Sequence, residues 1–359
     1  MSSRPPGPET VSVEALLAGS IAFDDILDAR TPAEFEADHL PGAISTPVLS
    51  DHERVIIGTR YTTDSFEAKR EGAARIARNI ASLLETTLAD RPRDWSPVVY
   101  CWRGGSRSGA LAIVLTQIGW RVKVVGGGYK AFRQHILSSL SGLVAERRFR
   151  VICGVTGCGK TRFLHALSER GAAVLDLEAI AAHRGSLLGA VPDRAQPSQR
   201  LFESRLWAAL RALPTDEDIY VESESRKIGN VQIPQVLMEK MRASECLSLS
   251  LPTQDRVTLL CEEYAHFLRE PARLELQIEK LRPLIGDEQT RCWLDQIERQ
   301  DWRALVEGLL DQHYDPSYTR SIGRNYPGQA TARVVVLGGP APSDYDSAAS
   351  ILLEKRSTL

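Results

Sequence analysis

An octapeptide, Gly154-Val155-Thr156-Gly157-Cys158-Gly159-Lys160-Thr161, stands between an apolar run, Arg150 to Gly154, and a helical pattern, Lys160 to Arg170. It has the form GxxxxGK[ST], which requires a strand, a loop whose glycines let the backbone wrap a phosphate chain, and a helix that ends on that phosphate. Few folds accept that sequence of elements, and a parallel α/β sheet is the one that does so routinely. Within the loop, Gly154, Thr156, Gly157, Cys158 and Gly159 supply backbone N–H groups, Lys160 neutralises terminal phosphates, and the Thr161 hydroxyl suits Mg²⁺. Cys158 occupies a position that only needs to be small. Acidic partners for Mg²⁺ belong at the tips of neighbouring strands, which nominates Asp176 and Glu222 as Mg²⁺ contacts. A helix cap or a solvated acid is the ordinary alternative for either. Beyond Glu222, Arg226 and Lys227 stand just before Gly229, as suits a loop closing on phosphate or nucleic-acid backbone; exposed charges explain them almost as well.

Alternating strands and helices precede the octapeptide as well. Strands are expected at Asp25 to Asp28, Pro97 to Tyr100 and Val122 to Val125, and helices at Pro32 to Ala37, Ala73 to Leu88, Ser106 to Ile118 and Lys130 to Leu140. Residues 1–10 read as a Pro/Gly-rich tail. After the octapeptide, strands are expected at Ala173 to Leu177, Asp218 to Glu222, Cys246 to Leu251 and Arg333 to Leu337, with helices at Ser198 to Leu213, Gln254 to Leu268 and Gln289 to Gln312. A chain of 359 residues has length for about two domains. The expected division is an α/β domain at 11–140 and a P-loop α/β domain at 148–359, with a helical insertion at about 253–312.

A second junction carries its own chemistry. Directly after the strand ending at Tyr100 comes Cys101-Trp102-Arg103-Gly104-Gly105-Ser106-Arg107-Ser108, and then a helix. Two glycines let successive N–H groups converge on one point, and the helix adds its positive end, so a thiol there is pushed toward thiolate. Arg103 and Arg107 are expected to strengthen that shift and to leave Cys101 an exposed nucleophile. The Cys-x5-Arg spacing equals that of cysteine-dependent phosphatases and makes a cradle wide enough for a tetrahedral oxyanion.

Together with Asp28-Ala29-Arg30-Thr31-Pro32-Ala33-Glu34-Phe35, His39-Leu40-Pro41-Gly42-Ala43 and Val124 to Tyr129, the cysteine loop resembles the rhodanese family. That likeness implies a rhodanese-like fold for the first domain and assigns the catalytic cysteine to Cys101. The combination with a P-loop resembles the tRNA 2-selenouridine synthase family. The likeness extends over Pro47 to Arg54, Leu175 to Glu178, His183 to Ser186, Gln196 to Gln199, Glu222 to Gly229 and His313 to Pro316, and little of it lies in the last 35 or so residues. It implies a transferase that converts wobble 2-thiouridine to 2-selenouridine through an S-geranylated intermediate, with geranyl diphosphate and selenophosphate as co-substrates and Mg²⁺ as a further ligand. It further implies the tRNA anticodon arm and a selenophosphate-supplying enzyme as partners, and selenium carried on Cys101 as a selenopersulfide. With tRNA as substrate, Trp102 beside the nucleophile is placed to stack on an extruded base, with a packed aromatic as the plainer reading. No tightly bound metal is expected. A cysteine-dependent phosphatase fused to a small-molecule kinase, and a nucleotide-sensing RNA-binding protein, are the competing readings.

Composition narrows the setting. Hydrophobic residues at 43% and charged residues at 25% exclude wholesale disorder and a membrane bundle. Six cysteines, at 101, 153, 158, 246, 261 and 292, show no pairing pattern, and no secretory or membrane-spanning segment is visible, so reduced thiols and a cytoplasmic location are expected. The net charge of −2 gives no global pull toward nucleic acid. From Cys101 to Arg150, however, nine basic residues (Arg103, Arg107, Arg121, Lys123, Lys130, Arg133, Arg147, Arg148, Arg150) face one acid, Glu146, which is where an RNA backbone is expected to bind.

Overall fold

The computed structural model describes residues 7–185, 194–265 and 269–354. Ser186, the first six residues of the expected tail and the end of the helix expected up to Leu268 lie outside them. The chain divides into two units, one of Met1–Leu140 with Pro197–Ala208, the other of Ser141–Gln196 with Ala209–Leu359. Segment 197–208, expected within the P-loop domain, therefore groups with the first unit. Its side chains explain why: the Ser204 hydroxyl donates to Asp38 Oδ2 at 3.0 Å and Trp207 Nε1 to Ser139 Oγ at 2.9 Å.

The first unit is built on a parallel sheet of β1 (Glu9–Val11), β2 (Ile26–Asp28), β3 (Ala43–Ser45), β4 (Val98–Tyr100) and β5 (Lys123–Val125), in the order β1-β5-β4-β2-β3. Residues 9 and 10, read as tail, are thus strand: β1 pairs with β5 through Thr10↔Val124. Helices α1 (Val13–Leu17), α2 (Pro32–Ala37), α3 (Asp51–Tyr61), α4 (Ser65–Glu85), α5 (Ser106–Ile118) and α6 (Gly128–Ala145) accompany it. A capping box fixes the start of α2, where Thr31 accepts from the Glu34 N–H and the Glu34 carboxylate accepts from the Thr31 N–H. The helix expected from Ala73 begins earlier, at Ser65, because Asp64 accepts from the N–H groups of Phe66 and Glu67 and caps it there. The core joins Leu27, Val99, Leu111, Leu115 and Trp95.

One buried network explains the Asp28/Arg30 part of the rhodanese likeness. Arg30 forks onto Asp28, with Nη2 to Oδ2 at 2.6 Å, and Nη2 also donates to the Asp38 carbonyl at 2.6 Å. Tyr100 donates to Asp28 at 2.6 Å and Tyr129 to Asp38 at 2.7 Å, while the guanidinium lies 4.1 Å from the centre of the Tyr129 ring. A buried charge so paired is costly to break, by about 3–5 kcal/mol when one partner is lost. These contacts tie β2, β4 and α6 together.

The second unit has a parallel sheet of β6 (Arg148–Cys153), β7 (Val174–Leu175), β8 (Asp218–Glu222), β11 (Glu245–Ser250) and β12 (Arg333–Val336), ordered β12-β11-β6-β8-β7. A two-stranded hairpin, β9 (Lys227–Ile228) with β10 (Val231–Gln232), follows β8. Its helices are α7 (Lys160–Glu169), α8 (Leu177–Ala181), the end of α9 (Gln199–Ala212), α10 (Gln235–Arg242), α11 (Thr253–Glu263), α12 (Pro271–Ile285), α13 (Asp287–Glu298), α14 (Trp302–Leu309), α15 (Asp315–Asn325) and α16 (Pro342–Glu354). The helix expected over Gln289 to Gln312 is broken: Gln300 takes φ 57° and Asp301 caps α14 by accepting from the Ala304 N–H. Helices α12 to α14 enclose their own core of Ile278, Trp293, Ile297 and Leu305. Both sheets reverse strand order beside a central strand, and the two sequence motifs follow those strands, β4 and β6, at their carboxyl ends, where open α/β sheets bind ligands.

Candidate functional site

The cysteine loop is held from beneath. The first N–H groups of α6 point at it: Tyr129 N donates to the Cys101 carbonyl at 2.8 Å and Lys130 N to the Trp102 carbonyl at 3.0 Å. This approach requires Gly128, at φ 56°, since a Cβ there would lie 2.2 Å from the Cys101 oxygen. The loop in turn surrounds the sulfur: Gly105 N donates to Sγ at 3.3 Å and the Ser108 hydroxyl at 3.1 Å. Burial pushes the thiol pKa up, but Ser108 Oγ and the N–H groups of Ser108, Gly105 and Arg103 outweigh it, and Cys101 ends below the ordinary thiol value.

Two expectations about this loop are corrected. Cys101 is only 3% exposed, not open at the surface. The arginine side chains are not what stabilise its thiolate: Arg107 is bound by Glu34, Nη1 to Oε2 at 2.5 Å and Nη2 to Oε1 at 3.2 Å, while Arg103 is exposed. The residue that replaces them, Ser108, lay in the motif unnoticed. Trp102 packs beside Tyr129 with ring centres 5.2 Å apart, so the plainer reading describes its resting place. Removing the Ser108 donor while keeping the loop gives a direct check. In Ser108→Ala, the pH profile of Cys101 alkylation, followed on its peptide by mass spectrometry, is expected to move upward by about one unit, since a bond that favours the thiolate is lost.

At the second motif, Gly157 and Gly159 take φ 80° and 75°, a left-handed backbone that glycine adopts without strain and that lets the loop turn back into α7. Lys160 Nζ donates to the Gly154 carbonyl at 3.2 Å. Burial opposes its charge, but Cys158, Glu222 and Glu224 outweigh that and raise its pKa, so Lys160 is cationic. The loop is braced by residues far away in the chain: Gly154 N donates to Tyr318 Oη at 2.7 Å, and Arg256 Nε donates to the Thr156 carbonyl at 2.9 Å. Arg256 is itself fixed by a fork onto Asp315, at 2.9 and 2.6 Å. Tyr345 of α16 lies under Gly159 and donates to the Cys158 carbonyl at 3.3 Å, so part of the C-terminal 35 residues supports the loop.

The acidic side of this site differs from expectation. Asp176 caps α8 by accepting from Ala179 N at 2.8 Å and faces His165, which leaves it outside the acidic cluster. The cluster consists of Glu178, Glu222 and Glu224, with carboxylate oxygens within 4.8 Å of one another. Thr161 Oγ1 donates to Glu178 Oε2 at 3.2 Å. Burial first, and then mutual repulsion, push the Glu178 and Glu224 carboxyls well above the carboxylate range; burial raises Glu222 as well. Glu222 is 3% exposed and its Oε1 has no hydrogen-bond partner among the described residues. Three hard oxygen donors, one with an orphaned atom, beside a P-loop threonine fit Mg²⁺. Glu178 and Glu224 lie inside stretches that carry the family likeness, but no local pattern singles them out. Arg226 and Lys227 are exposed at the start of the β9–β10 hairpin.

The basic stretch is mostly neutralised within the fold. Arg107 pairs with Glu34, Arg133 with Glu203, and Arg148 and Arg150 with Asp218. Arg147 is buried and donates to the Leu210 carbonyl. Arg103, Arg121 and Lys130 remain exposed. Among the described residues no helix is long and apolar enough to cross a membrane.

Comparison with known proteins agrees with this two-part construction. Residues 12–135 match the rhodanese-like domain, and residues 147–282 match the tRNA 2-selenouridine synthase AAA domain. A tRNA 2-selenouridine synthase of Nitrosomonas europaea is 34% identical over 81% of this chain and 76% of its own length. One from Shewanella woodyi is 32% identical over 87% and 90%, and one from Marinobacter nauticus 29% over 88% and 91%. A rhodanese-related protein of Thermoplasma volcanium, of known structure, is 20% identical over 35% of this chain and 92% of its own, with a TM-score of 0.24. With a rhodanese-like unit carrying Cys101, a P-loop unit carrying Lys160, and this extent of identity, the chain belongs to the tRNA 2-selenouridine synthase family.

Proposed function

We propose that this chain converts 2-thiouridine at the tRNA wobble position to 2-selenouridine, using geranyl diphosphate and selenophosphate. The observation that carries the proposal is the occurrence, in one chain of this family, of a cysteine with a lowered pKa in an N–H-lined loop and a P-loop facing three carboxylates. The first step is alkylation of the thiocarbonyl sulfur, with diphosphate as leaving group. Loop N–H groups and Lys160 bind the diphosphate and stabilise charge as the allylic carbon–oxygen bond breaks. Mg²⁺, when held by Glu178, Glu222, Glu224 and Thr161, supplies further positive charge at that diphosphate.

Alkylation turns the C2 substituent into a thiol leaving group. The Cys101 thiolate adds at C2 and expels geranyl thiol, which takes up a proton; the selenium of selenophosphate then displaces Cys101, and hydrolysis of the phosphorus–selenium bond leaves phosphate and 2-selenouridine. No oxidation state changes on this route. A selenopersulfide stored on Cys101 is two electrons more oxidised than the selenium of selenophosphate and needs an oxidant, so it is not part of this reading. Selenophosphate itself comes from an enzyme that phosphorylates selenide. The phosphatase reading is less well supported, because Arg107, the arginine of Cys-x5-Arg, is engaged by Glu34.

Mass spectrometry of wobble nucleosides in cells lacking the protein tests the proposal. The expected result is loss of 2-selenouridine with 2-thiouridine retained; unchanged 2-selenouridine contradicts it.

A further inference from the structure

The geometry points to an alkyl-chain binding cavity at the cysteine site, one that takes the geranyl group on the substrate sulfur while the selenium exchange occurs. This inference rests on the proposed function and adds to it the place where the chain is bound. Within the first unit a cavity of about 1090 Å³ opens beside Cys101. That is the scale of a site for a whole organic ligand, about 300–1000 Å³. A loop that handled only a small sulfur or selenium anion would need no such space.

Much of the wall is apolar, and α3 and α4 present that part as matched stripes. Ile57 and Tyr61, one turn apart on α3, face the cavity, as do Ala73, Ile76 and Ala77 on α4. Tyr61 is 52% exposed, so a large apolar ring lies at the cavity without a core to cover it. The α4 wall extends from Ala68 to Ile80, about 18 Å at the helical rise per residue. An extended ten-carbon chain of the geranyl type spans roughly 10 Å at bond lengths near 1.5 Å and fits along it. Cations lie at the same cavity, Arg54, Lys69 and Arg103, where they suit RNA phosphates near the reacting base.

The chemistry requires this arrangement. The alkyl chain begins at the sulfur on C2, the atom attacked by Cys101, so its first carbons lie within a few bond lengths of Sγ. As the C2–S bond breaks, the departing geranyl thiol stays on an apolar surface.

The test uses the full-length protein and anticodon stem-loop RNAs bearing 2-thiouridine whose sulfur carries either a geranyl or a five-carbon dimethylallyl group. Binding is measured by titration, and selenium incorporation separately by mass spectrometry. The wild-type chain is expected to bind the geranyl RNA at least about tenfold more tightly than the dimethylallyl RNA. In Ala73→Phe and Ala77→Phe, which fill the cavity from α4, the preference is expected to fall below about threefold, with the loss concentrated on the longer chain. Equal binding of the two RNAs by the wild type, or a preference that persists in both variants, overturns the inference. The two claims fail separately: a cavity-dependent preference without selenium incorporation retains the cavity and removes the proposed reaction, whereas selenium incorporation without chain-length preference removes only the cavity.

Discussion

In the Cys101→Ala variant, selenium incorporation is expected to fall by about 10³-fold or more while S-geranyl tRNA accumulates. The size of the effect follows from the loss of the thiolate that adds to C2 and leaves again, a role for which geometry cannot substitute. Cys101 is also the point on which the loop converges: Gly105 N and Ser108 Oγ are spent on its sulfur, and a methyl group in its place leaves both donors without their acceptor. The geranyl transfer assigned to the P-loop needs none of these atoms. Wobble nucleosides from the variant, separated and weighed, check both halves of the expectation; loss of both products contradicts the division of chemistry between the two sites.

The complementary variant, Lys160→Ala, is expected to reduce geranyl transfer by about 10²- to 10³-fold, the usual consequence of removing a preorganised charge from a developing anion. Its ammonium group lies among Glu222 and Glu224, so removing it makes the site more negative, while Tyr318 and Arg256 still brace the loop after the bond from Lys160 to the Gly154 carbonyl is lost. Diphosphate binding therefore weakens as well as the chemical step. Exchange of selenium into RNA geranylated beforehand is expected to continue. Measurement of geranyl incorporation from labelled geranyl diphosphate, with the variant beside the wild type, decides the matter.

How far each site could be read in advance depended on how local its chemistry is. Gly154 to Thr161 and Cys101 to Ser108 each lie between one strand and one helix, and such a junction is legible because the residues that build it are neighbours in sequence. Helix α2 was equally legible, since Pro32 and the Thr31/Glu34 box mark its start. Strands β1 and β3, three residues each, are too short for an alternating pattern and become strands by pairing with β5 and β2. The long helix α4 begins eight residues before its expected start because Gly72 and the polar run before it mask a start that Asp64 determines.

The support of the P-loop was not legible at all. Tyr318, Arg256 and Asp315 come from α15 and α11, more than ninety residues beyond the loop, and only the folded sheet brings them to Gly154 and Thr156. The same holds for Glu178 and Glu224. An acid at a strand tip was the expected ligand, but Asp176, which fitted that rule, satisfied a helix end first. The basic stretch misled for a related reason: its charges are close in sequence, and their partners Glu34, Glu203 and Asp218 are not.

The two sites can be separated in a single transfer assay. tRNA bearing wobble 2-thiouridine is incubated with geranyl diphosphate and the Cys101→Ala chain, purified, and then given to the Lys160→Ala chain with selenophosphate. Nucleoside mass spectrometry is expected to find S-geranyl-2-thiouridine after the first incubation and 2-selenouridine after the second; a first incubation that yields no S-geranyl product, or a second that leaves it untouched, contradicts the account.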